Sequence, residues 1–261
     1  MILTVDIGNS NVVLGGFHEA SEPEFVDRLP SDRSWSWDQW YAVLKELLVP
    51  YTGEIEGCAL SSVVPELTVH IRSALEQLTR KDVLVIDSSF RDGLELVNYD
   101  RTKLGNDRVV DMLSALAHYP VPIAIFDLGT ATTLSVLDEA GRFIGGMILP
   151  GIQMSVNALS AQASQLPVIS LEPPKSLLGT DTVSCMQNGA IYGAAAQIDG
   201  LTERIEALLG QSVTMVLTGG LSHLILPYCK HPLYYDAYLL LKGLRHIYLR
   251  EFEHKQISKN F

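Results

Sequence analysis

The feature that most constrains this chain is a short pattern that occurs twice. Residues 2–17 read Ile-Leu-Thr-Val-Asp-Ile-Gly-Asn-Ser-Asn-Val-Val-Leu-Gly-Gly-Phe. Two apolar runs flank a polar turn built on Asp6, Gly8, Asn9, Ser10 and Asn11, which is the pattern of a β-hairpin with Asp6 near the end of its first strand. Gly8 permits close approach and a positive φ, so the turn could present backbone N–H groups and hydroxyls to a phosphate. Alone, the stretch reads equally well as an ordinary hairpin with turn-forming residues. Residues 123–137, Ile-Ala-Ile-Phe-Asp-Leu-Gly-Thr-Ala-Thr-Thr-Leu-Ser-Val-Leu, repeat it: Asp127 aligns with Asp6, Gly129 with Gly8 and Thr130 with Asn9. A duplication that keeps the polar turn suggests two similar domains facing one cleft. Val216-Leu217-Thr218-Gly219-Gly220 is a third apolar strand running into glycines.

The rest of the chain alternates strand and helix patterns. Residues 24–29 continue the first meander, and 37–49 carry apolar residues at helical spacing. A short strand at 58–60 ends in Ser61-Ser62-Val63-Val64-Pro65; a helix over 66–79 and a strand over 83–86 follow. Residues 88–104 form a loop. A helix over 106–118 is ended by Pro120 and Pro122, which mark the domain boundary. The second half gives strands 123–127, 131–137 and 143–149, a helix 151–162, a loop 164–179 and a long helix 182–209. Strand 213–218, a helix 221–229 and a last helix 237–250 capped by Asp236 complete it, with a polar, frayed tail from Glu251. The expected fold is α/β, in two domains over 1–119 and 120–261. Each is a mixed β-sheet flanked by helices, and the C-terminal helix is able to pack back on the first domain.

Charge and cysteine usage exclude several classes. A net charge of −11 over 261 residues argues against nucleic acid as a partner, because phosphate neutralisation needs clustered Lys and Arg. Cys58, Cys185 and Cys229 are far apart and form no Cys-x-x-Cys pair, which fits a reducing compartment better than a disulfide framework or zinc site. No apolar run approaches the ~20 residues of a membrane span. The N-terminus enters a strand at once without a signal-peptide pattern, so no membrane contact and a cytoplasmic location are expected.

Leu104-Gly105-Asn106-Asp107-Arg108 places opposite charges at a helix start. One reading is a capping aspartate beside a solvated arginine. The other is a site that takes a proton from an alcohol at Asp107 and holds a carboxylate through the guanidinium of Arg108. Asp6 and Asp127, as twin strand-end carboxylates, suit a hard cation. No Gly-x-x-x-x-Gly-Lys-[Ser/Thr] phosphate loop is present.

The two Asp-Gly hairpins and the Thr-Gly-Gly strand resemble the actin-like ATPase superfamily of sugar kinases, chaperones and actin, with its ribonuclease H-like domains and with ATP and substrate in the cleft. A longer ordered set is more specific. Asp6-x-Gly8-Asn9-Ser10, Tyr99-Asp100, Gly105-x-Asp107-Arg108, Asp127-x-Gly129-Thr130, Gly145-Gly146 with Pro150-Gly151, and Gly179-x-x-Thr182 occur in one order from residue 2 to about 250. Together they are similar to type III pantothenate kinase. The resemblance implies transfer of the ATP γ-phosphoryl to the primary hydroxyl of pantothenate, the first step of coenzyme A synthesis. It implies that Asp6, Ile7, Gly8, Asn9, Ser10, Asn11, Val12 and Val13 line the ATP phosphates and that Thr130 touches ATP. It makes Asp107 the proton acceptor, and Tyr99, Gly105, Asn106, Asp107, Arg108 and Thr182 the pantothenate-binding residues. Asp127 would help hold a monovalent cation, potassium or ammonium, with magnesium entering with ATP. Thr182 would reach the site of the other subunit in a homodimer with a shared active site. Ser10 stands where many relatives carry Thr and keeps the hydroxyl. Ser61-Ser62 matches a family stretch too, but a strand-end turn explains it as well.

Three other functions compete. A sugar kinase of the same superfamily would leave Gly105-x-Asp107-Arg108 unexplained, since a neutral sugar has no carboxylate. A non-catalytic regulator would not need Asp6, Asp107, Arg108, Asp127 and Thr182 together. A filament-forming relative would need additional subdomains for which this chain has no room.

Overall fold

In the computed structural model, which describes residues 1–87, 90 and 93–259, the chain folds as two compact units. The first comprises Met1–Leu94, Asp100–Ala117 and Tyr238–Phe261, and the second Glu95–Tyr99 and His118–Ala237. Of the expected loop 88–104, residues 88, 89, 91 and 92 lie outside the described residues.

The first unit is a five-stranded mixed sheet. Its strands are β1 (Ile2–Ile7), β2 (Asn11–Phe17), β3 (Phe25–Pro30), β4 (Gly57–Ser62) and β5 (Val83–Ile86), in the order β3-β2-β1-β4-β5. The first three pair antiparallel, and β4 and β5 are parallel to β1. Strand alternation sends Leu3, Val5, Ile7 and Leu60 into one core. There they pack with Trp40 and Leu44 of helix α1 (Trp37–Leu48) and with Leu67 and Ile71 of α2 (Pro65–Thr79). Ser36 caps α1 in a reciprocal capping box with Gln39, and Pro65 opens α2, where a missing N–H costs nothing. The opposite face receives the last helix, α7 (Leu239–Lys259), which lies on β1, β4 and β2. Glycine makes that approach possible: a Cβ on Gly57 would collide with the Tyr248 ring.

The second unit repeats the plan. Strands β6 (Ile123–Leu128), β7 (Ala131–Leu137), β8 (Phe143–Pro150), β9 (Thr214–Thr218) and β10 (Tyr234–Tyr235) form a sheet in the order β10-β9-β6-β7-β8. Helices α4 (Ile152–Gln162) and α5 (Thr182–Leu209) follow β8 in the chain. Ile191, Ala195 and Ile198 of α5 pack with Phe126, Leu134 and Met215. Asp181 caps α5 in a box with Ser184, and Gly210 ends it at φ +70°. The duplication is visible residue by residue, because β1 and β6 share one burial pattern and β2 and β7 share another. This is the two-sheet α/β architecture expected of paired actin-like domains.

Several local expectations are corrected. The helix expected over 221–229 is α6 (Ser222–Ile225) followed by a 3-10 turn, Leu226–Tyr228, because Pro227 cannot donate the helical hydrogen bond. The last helix starts at Leu239 and runs to Lys259, past the frayed tail expected from Glu251. Asp236 lies three residues before it, is buried, and accepts the Tyr119 hydroxyl at 3.0 Å. β10 has no signal in the sequence, since two residues carry no periodicity.

One ion pair ties a loop of the second unit to α5. The Asp199 carboxylate accepts the backbone N–H groups of Lys230 and His231 at 3.0–3.1 Å, and His231 Nε2 lies 3.3 Å from Glu206 Oε2. Burial opposes charge on His231, but its bonds to the Pro232 carbonyl and to Glu206 outweigh that and raise its pKa. A raised folded-state value means stability that is present below the ordinary imidazole pKa of about 6.5 and lost as pH rises through the folded value. Melting from pH 6 to pH 8 should therefore cost the wild type more stability than His231→Gln, by about 1 kcal/mol or less for a single half-buried pair near the surface. Parallel pH profiles would show that the pair contributes nothing.

Candidate active site

In the first hairpin Asp6 pairs with Val13 and Ile7 with Val12, and the turn closes with Gly8 N–H donating to Asn11 O at 2.9 Å. Gly8 does not use a positive φ, contrary to expectation. Its role is spatial, because a Cβ would stand 3.2 Å from the Asn11 carbonyl. Ser31 locks the turn from outside. Its hydroxyl donates to Gly8 O at 2.6 Å and its N–H to Ser10 O at 3.0 Å. The carbonyls of Gly8, Ser10 and Asn11 are thus engaged within the protein, which reduces the acceptors the turn shows to an incoming anion.

Asp6 is registered with Ser61 on β4, and parallel partners share a face of the sheet. The Ser61 hydroxyl is fully buried and has no hydrogen-bond partner among the described residues. Ser62 behaves as a strand-end turn residue: its Oγ accepts the Val64 N–H at 3.0 Å and the Thr68 hydroxyl at 2.7 Å.

The Asp107 segment also belongs to the first unit. Asp100 opens it, accepting the Thr102 N–H and hydroxyl at 2.9 and 2.7 Å. The Thr102 hydroxyl, then its N–H, hold the Asp100 carboxyl below the usual carboxylate range. Helix α3 (Asn106–His118) begins five residues after the start of the 3-10 turn Arg101–Lys103. Asp107 folds back on its own helix start, where Oδ1 accepts the Arg108 N–H at 2.8 Å. Gly105 leaves room for this arrangement, because a Cβ would crowd that same oxygen and the carboxylate would have to turn. Arg108 is only 7% exposed, so the solvated arginine weighed from the sequence is not what is found. A buried guanidinium is costly without anionic or polar partners.

In the second unit Asp127 pairs with Thr133 on β7 and Thr218 on β9. The turn closes with Gly129 N–H donating to Ala131 O at 3.1 Å and is one residue shorter than its counterpart. Two glycines frame it. Gly219, at φ +95°, sits where any Cβ would strike Asp127 Oδ1, and a Cβ on Gly151 would strike the carbonyls of Gly129 and Thr130. Thr130 itself is exposed. No group of three or more His, Cys, Asp and Glu able to hold a metal occurs among the described residues.

Tyr99 is carried by the 95–99 segment, which is tied to the start of β8. Phe143 N–H donates to Glu95 O and Val97 N–H to Phe143 O, and the Tyr99 ring stands edge-on to Phe143 at 5.2 Å. Thr182 is the exposed first residue of α5, one position after its cap, and Gly179 packs against the first turn of that helix. Gly189, Gly193 and Gly200 form a side of α5 on which an added Cβ would meet nothing.

A family model described as type III pantothenate kinase matches residues 2–204. A type III pantothenate kinase from Exiguobacterium sp. strain AT1b is 35% identical over 254 residues, covering 96% of this chain and 99% of the relative. One from Brevibacillus brevis is 37% identical over 256 residues, with the same two shares of 96% and 99%. Among solved structures, a Baf family chain from Campylobacter jejuni aligns with a TM-score of 0.58 at 19% identity, over 96% of this chain and 99% of that one, a likeness of fold. No helix among the described residues is long and apolar enough to cross a membrane.

Proposed function

The chain belongs to the type III pantothenate kinase family, and on that premise we propose that it carries the ATP γ-phosphoryl group to the primary hydroxyl of pantothenate, the first step of coenzyme A biosynthesis, with Asp107 as proton acceptor. The observation that supports Asp107 most is its orientation: Oδ1 accepts the Arg108 N–H at 2.8 Å at a helix start, and Gly105 leaves that oxygen room. In the reaction the pantothenate oxygen attacks the γ-phosphorus, the bond to the β–γ bridging oxygen breaks, ADP leaves, and the hydroxyl proton passes to Asp107. Phosphoryl transfer asks the protein chiefly for positioning and charge neutralisation.

In this reading Asp6, Ile7, Gly8, Asn9, Ser10, Asn11, Val12 and Val13 line the ATP phosphates, and Thr130 contacts the nucleotide. Tyr99, Gly105, Asn106, Arg108 and Thr182 bind pantothenate, with Arg108 pairing with its carboxylate. The burial of Arg108 favours that pairing, since a poorly hydrated guanidinium binds a carboxylate more strongly. Thr182 serves the neighbouring subunit of a homodimer, and the open glycine side of α5 supports a close helix contact there. The work is cytoplasmic, in keeping with three free cysteines.

Magnesium enters with ATP. A monovalent cation, potassium or ammonium, is assigned to Asp127, the strand-end carboxylate of the second hairpin. Such an ion supplies positive charge near the phosphates in a chain of net charge −11. Replacing potassium with sodium at matched ionic strength should lower the rate strongly. Equal rates in the two salts would remove the cation from the account.

A further inference from the structure

We propose that Arg33 is an additional ligand of the nucleotide's phosphates, a cation brought to the first hairpin by the loop that follows β3. The inference rests on residues 6–13 being the phosphate seat. Those residues contain no Lys or Arg, so the turn by itself offers a polyanion dipoles and hydroxyls but no full positive charge. Arg33 is exposed, and its Nη2 donates to Asn9 Oδ1 at 3.1 Å, which sets the guanidinium beside the tip of the turn. That bond uses one of five guanidinium donors. Arg33 has no carboxylate partner among the described residues. The acid beside it in sequence is occupied elsewhere: Asp32 Oδ1 accepts the Ser34 hydroxyl at 2.6 Å and the Ser34 N–H at 2.8 Å. The loop is fixed on both sides of Arg33, by the two Ser31 bonds to the turn and by the Ser36 capping box of α1. A planar, permanently charged fork held in that way is suited to phosphate oxygens.

The test is steady-state kinetics and direct binding of a non-hydrolysable ATP analogue, in wild type and in Arg33→Ala, Arg33→Gln and Arg33→Lys. Arg33→Ala should raise the KM for ATP and weaken analogue binding about ten- to a hundredfold, as expected for losing charge-assisted bonds, with the KM for pantothenate unchanged. Arg33→Lys should recover part of the loss. Arg33→Gln, which keeps a donor for Asn9 but no charge, should be as impaired as Arg33→Ala; rescue by Gln would mean that Arg33 only braces the turn, and would overturn the proposal. So would an ATP KM within twofold of wild type in Arg33→Ala. A wild type that turns over no pantothenate removes the underlying reading and this assignment with it, whereas a working wild type with an indifferent Arg33→Ala removes the assignment alone.

Discussion

Asp107→Asn should give a folded protein whose turnover is reduced about 10²–10⁴-fold, the usual contribution of a positioned general base. The substitution is close to isosteric. The amide oxygen can still accept the Arg108 N–H that Asp107 Oδ1 accepts at 2.8 Å, and the space left by Gly105 is unchanged. What is lost is the ability to take a proton, together with a negative charge in the first turn of α3 worth roughly 0.3–1 kcal/mol of stability. The expected signature is an equal fall in kcat and kcat/KM, since the proton moves only on the way to the transition state. Near-normal turnover in a folded variant would assign the proton to another group.

Gly193→Glu should convert the proposed homodimer to monomer and abolish most pantothenate turnover. Within one chain the first side-chain atom has room, because a Cβ on Gly193 meets no atom within 4 Å. A folded variant that loses both dimer mass and activity would point to a second copy closing over that side of α5. A carboxylate forced unpaired into such a contact costs several kcal/mol, and each 1.4 kcal/mol is a tenfold change in dissociation constant. At micromolar concentration light scattering should report the monomer mass. Activity should fall with it if, as proposed, each site takes its Thr182 from the neighbouring subunit. A folded, fully active monomer would show that the site is complete in one chain.

The elements that could be read from the sequence are those in which local signals agree. The long helix over 182–209 carried an apolar period, and its bounds are those of α5; the Asp181 cap and the Gly210 stop emerged only with the structure. The repeated Asp-x-Gly pattern foretold two hairpins with matching burial. What escaped is set by tertiary contact. β10 exists because Tyr234 and Tyr235 lie against Val216 and Leu217, and the 95–99 segment joins the second unit through its bonds to Phe143. The site divides along the same line. Asp107 and Gly105 drew notice as neighbours in sequence, but that the bare Cα of one leaves room for the other's carboxylate is a property of the folded turn. Arg33, in a polar loop beside Asp32, carries no sequence signal of its own; its bond to Asn9 crosses 24 positions and leaves no trace in spacing.

The central claim is tested most directly by following ATP consumption with and without pantothenate, in magnesium and potassium, with mass spectrometry of the organic product. The account predicts ADP release that depends on pantothenate and is matched one for one by pantothenate bearing a single phosphate at its primary hydroxyl. ADP release indifferent to pantothenate, or none with both substrates present, would contradict it.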